Sequence, residues 1–293
     1  MEFIPSEKAV PIREASTANL LIDSIDRLNP DGSEKNGESS ANFTIQLNQS
    51  IMNGYFTRLA VSEVVLDWCV DNISAGAGNN TFNVRVASTT YGAQLPDGQY
   101  TVQQALDQLV LSLATGSPGG YVWTIVNSGT VPGNKALHLA VSGTPTNFTI
   151  LTGNLQTELN LQANVSGNDF PMNCPLILPY TYIDFVSNSL TYNQALKDAT
   201  TNRISRNVLY RWYFANDNVP QTLDSYGYPI FQGYQRFVIR RVLPFPKQIR
   251  WTSNQPIGQL QFQVYSSQGT VITAAEVAGG EMEWAMTLLV SEV

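Results

Sequence analysis

Apolar and polar residues alternate with a period of two along several stretches of this chain, which predicts strands with one buried face. From Ala41, Phe43, Ile45 and Leu47 are set against Thr44, Gln46 and Asn48. Before them, residues 19–27 (Asn19 to Arg27) read as a short strand. The polar stretch from Asn29 to Ser40 reads as a loop, since Pro30, Asp31-Gly32 and Asn36-Gly37 are turn formers. A third strand is predicted from Phe56 to Leu66, with Leu59, Val61 and Glu63 on one face and Ala60, Ser62 and Val64 on the other. After Pro175 the same style returns at residues 180–187, 208–215, 236–243, 248–253, 260–265 and 283–290. In this part Leu260, Phe262 and Val264 alternate with glutamines, and Ser266-Ser267-Gln268-Gly269 supplies a turn.

Between Asn72 and Pro175 the texture differs: turn residues multiply and charge nearly vanishes. Here Val102, Leu106, Leu109 and Leu113 recur at helical spacing, predicting a helix over 101–114 with these side chains along one face. Thr101 followed three residues later by Gln104 is a capping box. The leucine stripe reads as core packing. Strands are predicted at 81–87, 121–126, 136–141 and 148–151, with a weaker helical segment at 155–161. Residues 1–16, with Pro5, Pro11 and mixed charges, read as an extended arm. The predicted organisation is therefore an arm at 1–16, a body at 17–71 and 176–293, and an insert at 72–175. Eight or nine antiparallel strands with long connections fit a single jelly-roll β-sandwich, so the fold class is mainly β with an inserted small α+β domain.

The composition supports a folded protein. Of 293 residues, 43% are hydrophobic and 13% are charged, against about 25% charged in ordinary soluble domains. The net charge of −7 argues against a broad electrostatic grip on nucleic acid, though a local basic strip is compatible with it. The N-terminal residues lack the basic segment and apolar run of a secretory signal, and no stretch approaches 18 apolar residues, so neither secretion nor a membrane span is expected. The Asn-x-Ser/Thr triplets at Asn42, Asn72 and Asn147 then carry little weight.

Candidate chemistry is sparse. His138 is the sole histidine, and Cys69 and Cys174 are the two cysteines. A nucleophile–imidazole pair would have to use His138, and a zinc site of imidazole and thiolates would need all three to converge. The simpler reading makes both cysteines small buried apolar residues, with a bridge between them left open. Asp23 with Asp26, and Glu281 with Glu283, are close enough in sequence for acid–base work, but each pair sits at a strand margin where carboxylates commonly cap turns. Gly76-Ala77-Gly78 falls short of a phosphate-cradling loop. No catalytic residue, metal site or cofactor is expected.

Charge position is more informative. Residues 203–250 hold Arg203, Arg206, Arg211, Arg236, Arg240, Arg241, Lys247 and Arg250, eight of the chain's 16 cations. They are interleaved with Tyr210, Trp212, Tyr213, Phe214, Tyr234 and Phe237, with Trp251 following. Three readings compete: arginine on phosphates with aromatics on bases, a protein interface with an aromatic core, and a strand with arginines facing solvent. The acidic net charge disfavours the first, and assembly is favoured. The candidate interface comprises Arg203, Arg206, Arg211, Trp212, Arg236, Arg240, Arg241, Arg250 and Trp251.

Taken in order, several segments resemble the penton (vertex) capsid proteins of virophages and their polinton-like relatives. They are residues 21–27 (LIDSIDR) followed by 42–45 (NFTI), 96–101 (PDGQYT) opening the helix, 183–191 (IDFVSNSLT) with Leu196-Lys197-Asp198 after it, and 257–265 (IGQLQFQVY). The resemblance lies in their order and spacing and covers most of the chain. It implies a single jelly roll forming a homopentamer at icosahedral vertices of the virion and contacting a double-jelly-roll major capsid protein. The insert would project outward, where a host surface receptor is the partner to expect, and neither catalytic residues nor specific nucleic acid are implied. Two other classes stay open: a carbohydrate- or receptor-binding spike protein, and a two-carboxylate hydrolase relying on Glu281 or Glu283.

Overall fold

The computed structural model describes residues 17–33, 35, 37–46, 58–117, 119–127, 137–143, 147–172, 177–178, 180–191, 208–214, 223–226, 230, 237–244, 246, 248–250, 258–273 and 282–291. The predicted arm at 1–16 lies outside them.

Two antiparallel sheets form the body. The first runs β1 (Thr17–Asp23), β16 (Trp284–Ser291), β3 (Arg58–Trp68), β13 (Phe237–Val242), with β14 (Gln248–Arg250) also on β3. The second runs β12 (Val208–Tyr213), β11 (Tyr182–Val186), β15 (Gln259–Ser266), β2 (Asn42–Gln46). With β13 and β14 taken as one interrupted strand, the described residues of the body form eight strands in chain order. The first sheet is then 1-8-3-6 and the second 5-4-7-2. First pairs with last, second with seventh, third with sixth and fourth with fifth, as when one long hairpin is rolled up on itself. That wrapping is the jelly roll, as the alternation in the sequence predicted.

Aromatic side chains weld the two sheets. Trp284 of the first sheet meets Phe185, Phe43 and Phe262 of the second at ring-centroid distances of 5.0, 5.6 and 5.8 Å, and its indole N–H donates to the Ser40 carbonyl at 2.7 Å. Trp68 packs on Phe214 at 4.2 Å.

One strand departs from simple alternation. In β3 the residues that enter the core between the sheets are Leu59 and Val61 in the first half but Val64, Leu66 and Trp68 in the second. The partner strand explains the switch: Leu288 faces Val61 and Thr287 faces Glu63, leaving Ser62 as an extra residue whose hydroxyl donates to the Thr287 carbonyl. This β-bulge reverses the inward parity. Glu63, expected to share a face with Leu59 and Val61, is thereby turned outward.

Element ends are also corrected. Residues 19–27 are not one strand: β1 ends at Asp23, and Ser24–Arg27 form a 3₁₀ turn, because Asp23 accepts from the Ile25 N–H while Asp26 accepts from the Asp23 N–H. The third strand extends past Leu66 to Trp68.

Between β3 and β11 lie two small antiparallel sheets. One runs β5 (Thr89–Gln94), β4 (Thr81–Val86), β8 (Phe148–Ile150), β9 (Ser166–Gly167), and the other β10 (Asp169–Met172), β7 (Leu137–Ser142), β6 (Val122–Asn127). The helix α1 (Val102–Gly116) packs against β5 and β6, burying Val102, Leu106, Leu109 and Leu113. Its predicted cap is present: Thr101 Oγ1 accepts from the Gln104 N–H, and Gln104 Oε1 accepts from the Thr101 N–H. The weaker helix shortens to α2 (Asn154–Glu158). β5, β9 and β10 were not predicted. β5 buries only Ala93 and so carries no apolar rhythm; it forms through a hairpin in which Ala87 adopts φ 51°.

Buried apolar side chains fall into two clusters, one drawn from residues 22–70 and 180–290, the other from 73–177, with Leu178 touching both. Polar contacts join them. Tyr226 Oη donates to Asp107 of α1 at 2.9 Å, the Ser225 N–H donates to Gln103 at 3.1 Å, and Asp224 accepts from the Gln103 N–H at 3.3 Å. Burial and the Asp107 contact push the Tyr226 phenol up to about 12. Asn72, one of the triplet asparagines, is buried and bonds both polar groups of the Tyr100 backbone.

Candidate functional site

The edge strands β12 and β13 lie on the same side of the sandwich, and most of the described part of the predicted basic, aromatic segment is concentrated there. Arg211 reaches Asp184 on β11 through two hydrogen bonds of 2.6 and 2.8 Å. Its guanidinium carbon stands 3.8 Å from the Tyr182 ring centroid. The Asp184 carboxylate is only 2% exposed, while Arg211 is 36% exposed. A buried carboxylate needs a matched partner; this bidentate pair supplies it and raises the already high pKa of Arg211.

Arg240 makes the corresponding pair with Glu63 at 2.6 and 2.7 Å on the outer face of the first sheet. That hydrogen bonding holds the Glu63 carboxyl below its ordinary range. Glu63 reaches Arg240 because the Ser62 bulge turns it outward. Arg241, on the opposite face of β13, closes the gap between the sheets. Its guanidinium carbon lies 4.0 Å over the Trp212 ring, and it donates to the Tyr213 carbonyl at 3.2 Å.

These contacts divide the predicted interface. Trp212 is fully buried, its ring facing Phe237 at 6.3 Å, so it belongs to the core and offers no surface to a partner. This corrects its placement among the candidates: the period of two is correct, but the sheet turns this member inward. Arg211, Arg240 and Arg241 are brought together on one flank. Arg250 ends β14 opposite Arg58 in register. Arg203, Arg206, Arg236 and Trp251 lie outside the described residues.

The flank also exposes side chains absent from the predicted interface. Val238 and Val242 on β13 are 68% and 62% exposed, flanking Arg240, and Tyr213 on β12 is 51% exposed. The signal of the two valines is present in the alternation of residues 237–242, but alternation does not say which face is covered.

The remaining candidates have structural partners. Asp23 and Asp26 cap the 3₁₀ turn. Glu283 receives two hydrogen bonds from buried Arg27, at 2.8 and 3.0 Å, and one from Ser24 Oγ, tying that turn to the start of β16. Glu281 lies outside the described residues. His138 pairs with Asp169 at 2.9 Å across β7 and β10. Cys69 is buried next to β3, and Cys174 is outside the described residues. Among the described residues, no cluster of three or more His, Cys, Asp or Glu could hold a metal, and no helix is long and apolar enough to cross a membrane.

A polar cleft of about 320 Å³ opens where the two core clusters meet, lined by Asp71, Asn79, Glu158, Tyr180 and Gln268 among others. Burial raises the pKa of Glu158, partly offset by the Asn79 amide at 2.9 and 3.1 Å. Burial, with a contribution from Asp97, raises that of Asp71.

No family model and no curated protein matches the sequence. Solved structures do. A chain of the Sputnik virophage structure aligns at 13% identity over 94% of this chain and 97% of its own, with a TM-score of 0.44. The mavirus penton protein aligns over 96% of this chain and all of its own, with a TM-score of 0.50 and 10% identity. Likeness of that extent at so low an identity is likeness of architecture: this chain has the fold of the mavirus penton protein.

Proposed function

We propose that the chain is a structural capsid protein of a virus, a penton capsomer that forms a homopentamer at icosahedral vertices and contacts a double-jelly-roll major capsid protein. The observation that carries the reading is the end-to-end fold match to the mavirus penton protein. The flank of β12 and β13 supports it. Arginine and tyrosine around exposed valines make up the composition of a protein interface, and such a surface on an open sheet edge is a liability unless covered. Residues 72–175 form the module that projects from the shell and serves attachment to a host surface. The chain works in the virion, through surfaces and without a cofactor.

Sedimentation velocity of the purified full-length chain, followed by negative-stain microscopy, tests the proposal. A five-membered ring is expected. A chain that stays monomeric at every concentration and does not bind the major capsid protein overturns it.

A further inference from the structure

The two open edges of the sandwich carry opposite chemistry. On one, β12 and β13 hold Arg211, Arg240 and Arg241 and no carboxylate. Neighbouring Glu63, Asp67 and Asp184 offset part of that charge and Arg58 adds to it, so among the described residues the edge stays positive. Its exposed apolar centre is Val238 and Val242. On the opposite edge, β1 and the 3₁₀ turn expose Leu21 and Ile25, which are 67% and 53% accessible, with the carboxylates of Asp23 and Asp26 beside them. Arg27, the one cation of β1 and the turn, is directed inward onto Glu283, and Lys35 donates to the Asp26 carbonyl at 2.9 Å, so the two carboxylates outweigh the one outward cation and the edge stays negative. The adjoining β2 carries no charged residue.

Each edge thus has an apolar pair framed by charge, of opposite sign on the two sides. A contact between identical edges would set like charges against each other. The geometry points to a head-to-tail contact in which the β12–β13 edge of one subunit docks on the β1 edge of a second copy. Because the two patches differ, each subunit keeps one patch unused after a single contact, so association continues until a ring closes. This contact rests on the self-assembly proposed above and names the two surfaces that carry it. Both are edge strands whose exposed side chains at these points are aliphatic, and the ring covers them.

Two full-length variants separate the possibilities: Val238→Asp/Val242→Asp, which disables one edge, and Leu21→Asp/Ile25→Asp, which disables the other. Sedimentation velocity should find each variant monomeric by itself. A 1:1 mixture should give a dimer and nothing larger, since one intact edge of each kind remains. Far-UV circular dichroism checks that the variants fold; should a double variant fail, the exposed single changes Val242→Asp and Ile25→Arg take its place. If the wild-type chain forms rings while the mixture stays monomeric, or while either variant still forms rings by itself, the pairing of these edges is wrong and the capsid reading survives. A wild-type chain that never self-associates overturns the contact and the ring alike.

Discussion

The Asp184–Arg211 pair makes an asymmetric prediction. Asp184 is almost completely buried, and both of its carboxylate oxygens are satisfied by Arg211, which is one-third exposed. Removing the arginine strands a charge in a dry site, whereas removing the carboxylate leaves a guanidinium that water can reach. Removing one partner of a buried pair so that the other is left as an unpaired buried charge costs about 3–5 kcal/mol. For Arg211→Leu we expect about 3 kcal/mol, the low end, because the pair sits on an outer sheet face. Asp184→Asn keeps the shape and one acceptor, so the loss of charge assistance should cost about 1.5–2 kcal/mol. The double variant Asp184→Leu/Arg211→Leu removes both charges and should return to within about 1 kcal/mol of wild type, as apolar replacements of buried pairs commonly do. Urea unfolding followed by both circular dichroism and tryptophan fluorescence measures these values, and coincidence of the two signals checks two-state behaviour. An Arg211→Leu protein within 1 kcal/mol of wild type, or one more stable than Asp184→Asn, would refute the assignment of this arginine to the sheet.

Two further outcomes follow from the geometry. Deleting Ser62 removes the residue that reverses parity in β3, so either Leu59 and Val61 or Val64, Leu66 and Trp68 must face outward; the deletion should yield insoluble protein, while Ser62→Ala, which keeps the count, should cost no more than about 1 kcal/mol in urea unfolding. Glu158 has its pKa raised by burial, so the folded state holds its proton more tightly than the unfolded state and loses stability as pH rises through the folded value. Glu158→Gln should therefore raise the melting temperature at pH 7 and have no such advantage below about pH 4, where the carboxyl is neutral in both states; a gain that is independent of pH would contradict the burial explanation.

Local patterns in the sequence were enough to reveal the elements whose formation depends on near neighbours. Phe43 and Ile45 in β2, and Leu260, Phe262 and Val264 in β15, announce strands because inward side chains recur every second residue. Thr101 and Gln104 announce the start of α1 because a cap is made between residues three apart. The change of texture after Cys69 follows from the turn-rich, nearly uncharged composition of residues 72–175. What the tertiary structure decided depends on residues far apart in sequence. The Ser62 bulge exists through Thr287 and Leu288, and it alone makes Glu63 a partner for Arg240. Trp212 and Tyr213 are adjacent aromatics of the same strand, and only the packing of Phe237 and Arg241 against one of them separates core from surface. The arginines of residues 203–250 stand out in the sequence, but their division between Asp184, Glu63 and the Trp212 ring was not legible, because a charge and its partner carry no periodic signal when they stand 27 or 177 positions apart. The acidic edge at Asp23 and Asp26 emerges only when folding brings first strand and last strand together and turns Arg27 inward.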